Sequence, residues 1–404
     1  MKHTIFSMLG LGLALLFAWQ CANTSIAEKA PEIPELLTRK RQIGPDGEAA
    51  SVLSLYESLV QQIKNNPNDV VARLSLTELF MQEARISGEH GHYYPAALQV
   101  VEGVLSAQKL NPVLRYRALL DKASVQLSQH QFAEARKTGE AALRINATEA
   151  GIYGVLVDAN VELGDYAKAV EMADRMIAIR PDIRSYSRVS YLREIHGQVP
   201  GAIEAMKLAV AAGYPGLEQT EWARLTLGGL YERYGQLDSA MFHYNVALSA
   251  RPNYPFALAA LAQAKAKKGD KAEAEKLLLQ ACDMIPEVGF YVDWAMMEQA
   301  KGNQAKVEAL TKDILAMLED DVRSGHSMDL EYANLYLNLL GKPEQALPYA
   351  QKEYALRPEN IDVNRLLAQI HLKMGQRDKA AEHLAKALRT QSKDPDALAV
   401  QAAL

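Results

Sequence analysis

An all-α repeat solenoid is the fold class this 404-residue sequence predicts. Three observations carry it: a recurring glycine, a recurring set of small residues, and a proline beat. The glycines are Gly164, Gly197, Gly235, Gly269, Gly302, Gly341 and Gly375, at spacings of 33, 38, 34, 33, 39 and 34. Each suits the turn inside a helical hairpin, where a left-handed backbone is needed. The two long intervals predict short insertions near residues 213–220 and 320–327.

The small residues are Ala123, Ala135, Ala142, Ala169, Ala202, Ala209, Ala240, Ala274, Ala346, Ala380 and Ala387. They recur where two antiparallel helices would cross most closely, and a larger side chain there would push the backbones apart. Leu156, Leu227, Leu261 and Leu367 supply bulk between them. Pro112, Pro181, Pro252, Pro286 and Pro358 mark expected helix ends, because proline lacks the amide that would extend the helix. About nine hairpins follow: 69–110, 113–145, 148–180, 183–213, 219–251, 254–286, 288–320, 327–357 and 361–392. A lone helix near 48–65 precedes them, and Asp396 to Leu404 begins a further unit.

One stretch reads as a complete unit: Arg224-x2-Leu227-Gly228-x2-Tyr231, then Gly235, Leu237, Ala240-x3-Tyr244, Ala247 and Pro252. Its offsets resemble the tetratricopeptide repeat, with Arg224 where the family's tryptophan stands. The resemblance implies a right-handed superhelix whose first helices line a concave groove, and it identifies a mode of action rather than one function. Positions 2, 5, 9 and 12 of each unit are then groove residues. Carried over, they include Asp158, Arg184, Ser187, Tyr191, Trp222, Gln263, Met296, Glu331, Arg365 and Gln369, with Arg188 at the groove edge. Co-chaperone members hold a C-terminal carboxylate with Lys and Asn at positions 5 and 9. No unit here has that pair; the slots hold Gly154 and Asp158, Ser187 and Tyr191, or Leu225 and Gly229.

The ends carry different signals. Met1-Lys2-His3 followed by the uncharged run Ile5 to Ala18, 14 residues, fits an export signal and is short for a membrane span. Ser25-Ile26-Ala27 suits ordinary cleavage, whereas Cys21 behind the apolar run suits lipidation, so secretion and a lipid anchor both stand. Export to a periplasm, or anchoring in a bacterial envelope, is the expected location. Residues 28–47, with Pro31, Pro34, Gly44, Pro45 and Gly47, read as a linker ahead of an array over 48–404. Its Arg39-Lys40-Arg41 run reads as solvated charge, with anionic headgroups as the other use.

A net charge of −5 gives no basic footprint, which speaks against nucleic acid. Two cysteines allow neither a disulfide framework nor a four-cysteine zinc site, and Cys282 falls on a packed helix face as an inert thiol. There is no phosphate loop, nucleophile elbow or His-Glu-x-x-His, so no catalysis, cofactor or metal is expected. His90-Gly91-His92 beside Glu89 offers two ligands without a third. The expected function is capture of partner proteins or peptides in the groove, with Arg184, Arg188 and Tyr191 on one helical face near Trp222 as the strongest patch. The alternative is a receptor for a glycan or small ligand, stacking on Tyr191, Trp222 and Tyr332.

Overall fold

A computed structural model describes residues 33–404, and residues 35–404 form one compact unit. The expected export signal and Cys21 lie outside the described residues. Helix α1 (Glu48–Asn65) is followed by nine antiparallel pairs. These are α2 and α3 (Val70–Ser87, His90–Leu105), α4 and α5 (Pro112–Ser128, Phe132–Ile145), α6 and α7 (Ala150–Leu163, Tyr166–Ile179), and α8 and α9 (Ile183–Ile195, Val199–Ala211). Then come α10 and α11 (Glu218–Arg233, Leu237–Ala250), α12 and α13 (Pro255–Lys267, Lys271–Met284), and α14 and α15 (Val288–Ala300, Gln304–Arg323). Helices α16 and α17 (Asp329–Asn334, Pro343–Leu356) and α18 and α19 (Ile361–Lys373, Arg377–Ala387) complete the pairs, and α20 (Pro395–Ala403) begins another. Among the described residues no helix is long and apolar enough to cross a membrane.

The size classes pack as their spacing predicts. Ten of the eleven recurring alanines have no exposed surface and Ala387 keeps 3%. Leu156, Leu227, Leu261 and Leu367 are buried beside them, giving a core that grows lengthwise as each hairpin covers the next. Four of the five prolines follow helix ends, but Pro112 opens α4 instead, with the Asn111 side chain accepting from the Val113 amide at 2.8 Å. A proline loses nothing at the first helical position, where the amide has no partner in any case. The insertion near 320 lengthens α15 to 20 residues, and α16 runs on into a π-helical turn over Leu335–Leu339.

The array coils back onto itself. The Gln129 amide group donates to the Ser324 carbonyl at 3.0 Å and the Ser327 amide to the Gln129 carbonyl at 3.1 Å. The Asn360 side chain donates to the Glu162 carbonyl at 2.9 Å, and the Ile361 amide to the Tyr166 hydroxyl at 2.8 Å. Arg357, sandwiched between Glu353 and Glu162, also covers the Phe132 ring at 4.9 Å. The four hydrogen bonds join partners 195 to 198 residues apart. Thus turns inside the early hairpins rest on turns between the late ones, and one coil of the superhelix seats on the next.

Residues 35–47 belong to the same seam. The expected linker is irregular over this stretch but is docked: Arg39 is withdrawn from solvent, while Lys40 and Arg41 stay exposed as expected. Arg39 is almost fully buried against Glu83 at 2.6 Å and Glu48 at 2.9 Å. Glu48 in turn receives Arg251, whose side chain has no exposed surface, at 2.7 Å. The Gly44 amide donates to the Pro252 carbonyl at 2.8 Å, and Arg41 pairs with Asp283 at 3.0 Å.

Two turn glycines have a second role here. Gly164 has φ of 82° like its counterparts, yet a β-carbon there would lie 2.4 Å from the Glu359 backbone of the next coil. Gly197 meets the Gln391 carbonyl at the same separation, whereas Gly269 opens on empty space. Gly269→Ala should therefore cost only the left-handed penalty, about 1–2 kcal/mol. Gly164→Ala must also part the coils. Urea melts should show the larger loss at 164, with faster hydrogen exchange at the Ile361 amide; equal losses would mean the seam contributes nothing to stability.

Candidate functional site

The coiling leaves a central cavity of about 1740 Å³. Its wall comes from the first helices α10, α12, α14, α16 and α18 and the start of α20, the concave face of the later hairpins. Its floor comes from the earlier coil, through the turn 88–94 with Ser128 and His130. That two-sided construction follows from the seam, since only the contact between coils brings α3 against α15.

The structure brings Gln263, Glu331 and Arg365 together in this cavity, along with Met296 and Gln369. Tyr191 lines a smaller adjoining space of about 50 Å³ that shares Arg233, Arg365 and Asp394 with the main cavity. The tyrosine is 37% exposed, yet surrounding protein, then the nearby Asp362 and Glu162 carboxylates, raise its hydroxyl well above the ordinary range. Asp158, Arg184, Arg188 and Trp222 do not line the main cavity. Arg188 is engaged by Asp158 and by the Gly154 carbonyl at 3.1 Å. Ser187 is buried and donates to the Ile183 carbonyl at 2.6 Å, so it faces the hairpin core and not a groove. The three expected stacking rings are not assembled: Tyr332 stacks on Tyr349 at 5.0 Å, and Trp222 stands apart from both spaces.

The lining is strongly acidic, with nine carboxylate side chains against three from lysine and arginine. All three cations are spoken for. Lys267 pairs with Glu232 at 2.8 Å, Arg233 with Glu194, and Arg365 with Asp396 at 3.3 Å and Asp362 at 3.4 Å. Asp293 accepts from Gln263 at 2.6 Å. Three acids are left facing one another: Glu287 before α14, Asp321 in the last turn of α15, and Glu331 on α16. Burial, then repulsion by Asp321, raises Glu287 to about 7; burial, then repulsion by Asp320 and Glu331, raises Asp321 to about 6. Burial also raises Glu331, against the pull of His130, whose ring lies 3.9 Å away.

Histidines complete this corner. His326 is 8% exposed and packs on Tyr94 and His90, with ring centroids at 5.6 and 6.3 Å. Its Nδ1 sits 3.2 Å from the Asp321 carbonyl oxygen, while Nε2 has no hydrogen-bond partner. Burial, followed by the charges of His326 and His130, lowers His90 to about 4, so it is neutral near pH 7. His92 meets the Glu35 carbonyl at 2.9 Å. Among the described residues no group of three or more His, Cys, Asp or Glu is arranged to hold a metal ion. Cys282 is half-buried, and burial raises its thiol to about 12, which keeps it unreactive.

Sequence reasoning missed Glu287, Asp321, His130 and His326. They occupy a cap, an insertion and two turns, outside the repeating positions that a groove pattern inspects. Only the long interval between Gly302 and Gly341 hinted that the 320–327 region was special.

Comparison with known proteins identifies the repeat. Two family models described as tetratricopeptide repeat match residues 257–288 and 337–404. No curated protein matches the chain. Among solved structures it is similar to the human IFIT1 dimer with PPP-AAAA (13% identity, 85% of this chain and 89% of that one, TM-score 0.48). It is also similar to the Cut9–Hcn1 heterotetramer of the APC/C (15% identity, 97% and 82%, TM-score 0.46). A third is PilW, a type IV pilus biogenesis factor (18% identity, 51% and 94%, TM-score 0.42).

Proposed function

Starting from a chain that belongs to the tetratricopeptide repeat proteins, we propose that it is an exported scaffold which captures a segment of a partner protein inside its coil. Repeats of this class act as protein-interaction scaffolds. The observation that carries the finer reading is the cavity of about 1740 Å³ walled by successive first helices. It exceeds the roughly 300–1,000 Å³ of small-molecule pockets and suits an extended peptide. A wall fixed by stacked hairpins and closed by the seam is already ordered, which lowers the entropy lost on capture. Export rests on the first 27 residues, and lipidation at Cys21 would tether the array to a membrane surface, where assembly of envelope complexes is a fitting task.

The test is photo-crosslinking in the native cell from a probe at Gln263, with exposed Lys137 on α5 as the control. A discrete protein adduct from 263 alone is expected. Folded, exported protein that gives no adduct from 263, or the same adducts from both sites, would overturn the reading. Protease protection of the array in intact cells checks the location separately.

A further inference from the structure

We propose that the partner segment is basic, and that a lysine or arginine side chain is seated at the corner formed by Glu287, Asp321, Glu331 and His326. This deepens the capture reading and rests on it. The argument is one of donors and acceptors. Glu287, Asp321 and Glu331 come from three elements, face one cavity and have no lysine or arginine bound to them. One carboxylate oxygen of Glu331 is buried with no partner at all. Like charges held together under partial burial are unfavourable unless a cation joins them.

His326 points to the same ligand independently. The Asp321 carbonyl 3.2 Å from Nδ1 can only accept, and the Ser324 hydroxyl, 3.3 Å from Nδ1, already donates to that carbonyl at 2.9 Å, so both neighbours of Nδ1 place the ring proton there. Nε2 is then a bare lone pair on a side chain 8% exposed that lines the cavity. With the three carboxyls ionised, every unused group at this corner is thus an acceptor. An ammonium brings three donors and no acceptor, and a guanidinium five; an anion or a carbonyl would add another acceptor to a site that already has too many. The rest of the cavity gives the segment room on either side, with Gln263 and Asn338 among its lining.

The experiment is fluorescence anisotropy with a fluorescein-labelled nine-residue peptide of alternating Arg and Ser, blocked at both ends, titrated with the full array at about 0.15 M salt, where exposed charges are largely screened. Saturable binding is expected, weakened at least tenfold by the E287Q/D321N/E331Q variant. The E140Q/D174N/D313N variant removes the same charge from exposed positions outside the cavity and should bind within twofold of the native chain. His326→Phe, which keeps the ring and loses the acceptor, should weaken binding severalfold, and it stands in should the triple variant fail to fold. Equal losses in the two triple variants would reduce the effect to net charge and overturn the assignment. Spermidine competing as tightly as the peptide would give the corner to a free polyamine and overturn the segment. A partner crosslinked from Gln263 together with no binding of the basic peptide would overturn this inference alone and leave the capture reading standing.

Discussion

Replacing Arg251 by methionine is expected to cost roughly 3 kcal/mol, the range found when one member of a buried ion pair is removed. Its side chain has no exposed surface and holds Glu48 at 2.7 and 2.9 Å and the Gly216 carbonyl at 3.2 Å. The stem volume survives in methionine, so the loss reads the charge. Glu48 would retain Arg39, itself committed to Glu83, and that shared partner is too little for two carboxylates. Together the pull of Arg251 and Arg39 outweighs burial and keeps the Glu48 carboxyl below its ordinary range. The double change E48Q/R251M should recover part of the loss, because it leaves no orphaned charge. A urea midpoint unmoved by R251M would show that residues 35–48 are held to the later coil by something other than this network.

The second large effect is at Asp121 on α4. The side chain is 5% exposed, one of its oxygens has no partner, and nearby Arg117 is taken by Glu78 at 2.8 Å. Burial, and then repulsion by Glu78, raises its carboxyl to about 8. The sign follows from proton counting. Between the ordinary carboxylate range and about pH 8, the folded chain holds a proton that the unfolded chain has released. Stability contributed at this position is therefore greatest in acid and is lost as pH rises from about 4 to 8. Asp121→Asn keeps the shape and removes the titration. It should raise stability at pH 8 by on the order of 3 kcal/mol, with the difference vanishing toward pH 4. Melting temperatures of the two proteins that run parallel across this window would refute the account. His90, lowered to about 4 by burial, slopes the other way and gains stability up to about pH 6.5 in both proteins, so it cancels in the comparison.

A useful contrast lies between Gly164 and His130. Gly164 is visible as a turn residue because glycine is the ordinary choice for positive φ. His130 holds the equivalent turn of the second hairpin at φ 59° and leaves no glycine signature. It is tied there by the Ser327 carbonyl, 2.9 Å from Nδ1, a contact made across 197 residues. No inspection of one hairpin reveals that partner. The same limit explains the site. Gln263, Glu331 and Arg365 were legible because they repeat at fixed positions of a first helix, whereas Glu287 and Asp321 acquire meaning only when α14, α15 and α16 bring them beside Glu331.

By itself the sequence determined the hairpin count, the order of helices and the buried alanine rows, since each depends on packing within a unit of about 34 residues and its neighbour. Tertiary structure alone decided that the coils touch, that Arg39 and Arg251 are buried, and that the acids share a cavity with His326. The physical reason is accumulation. Each hairpin adds a small rotation set by its helix crossing, and the contact near residue i + 195 is the sum of many such rotations. No single repeat encodes that sum as a pattern of residues.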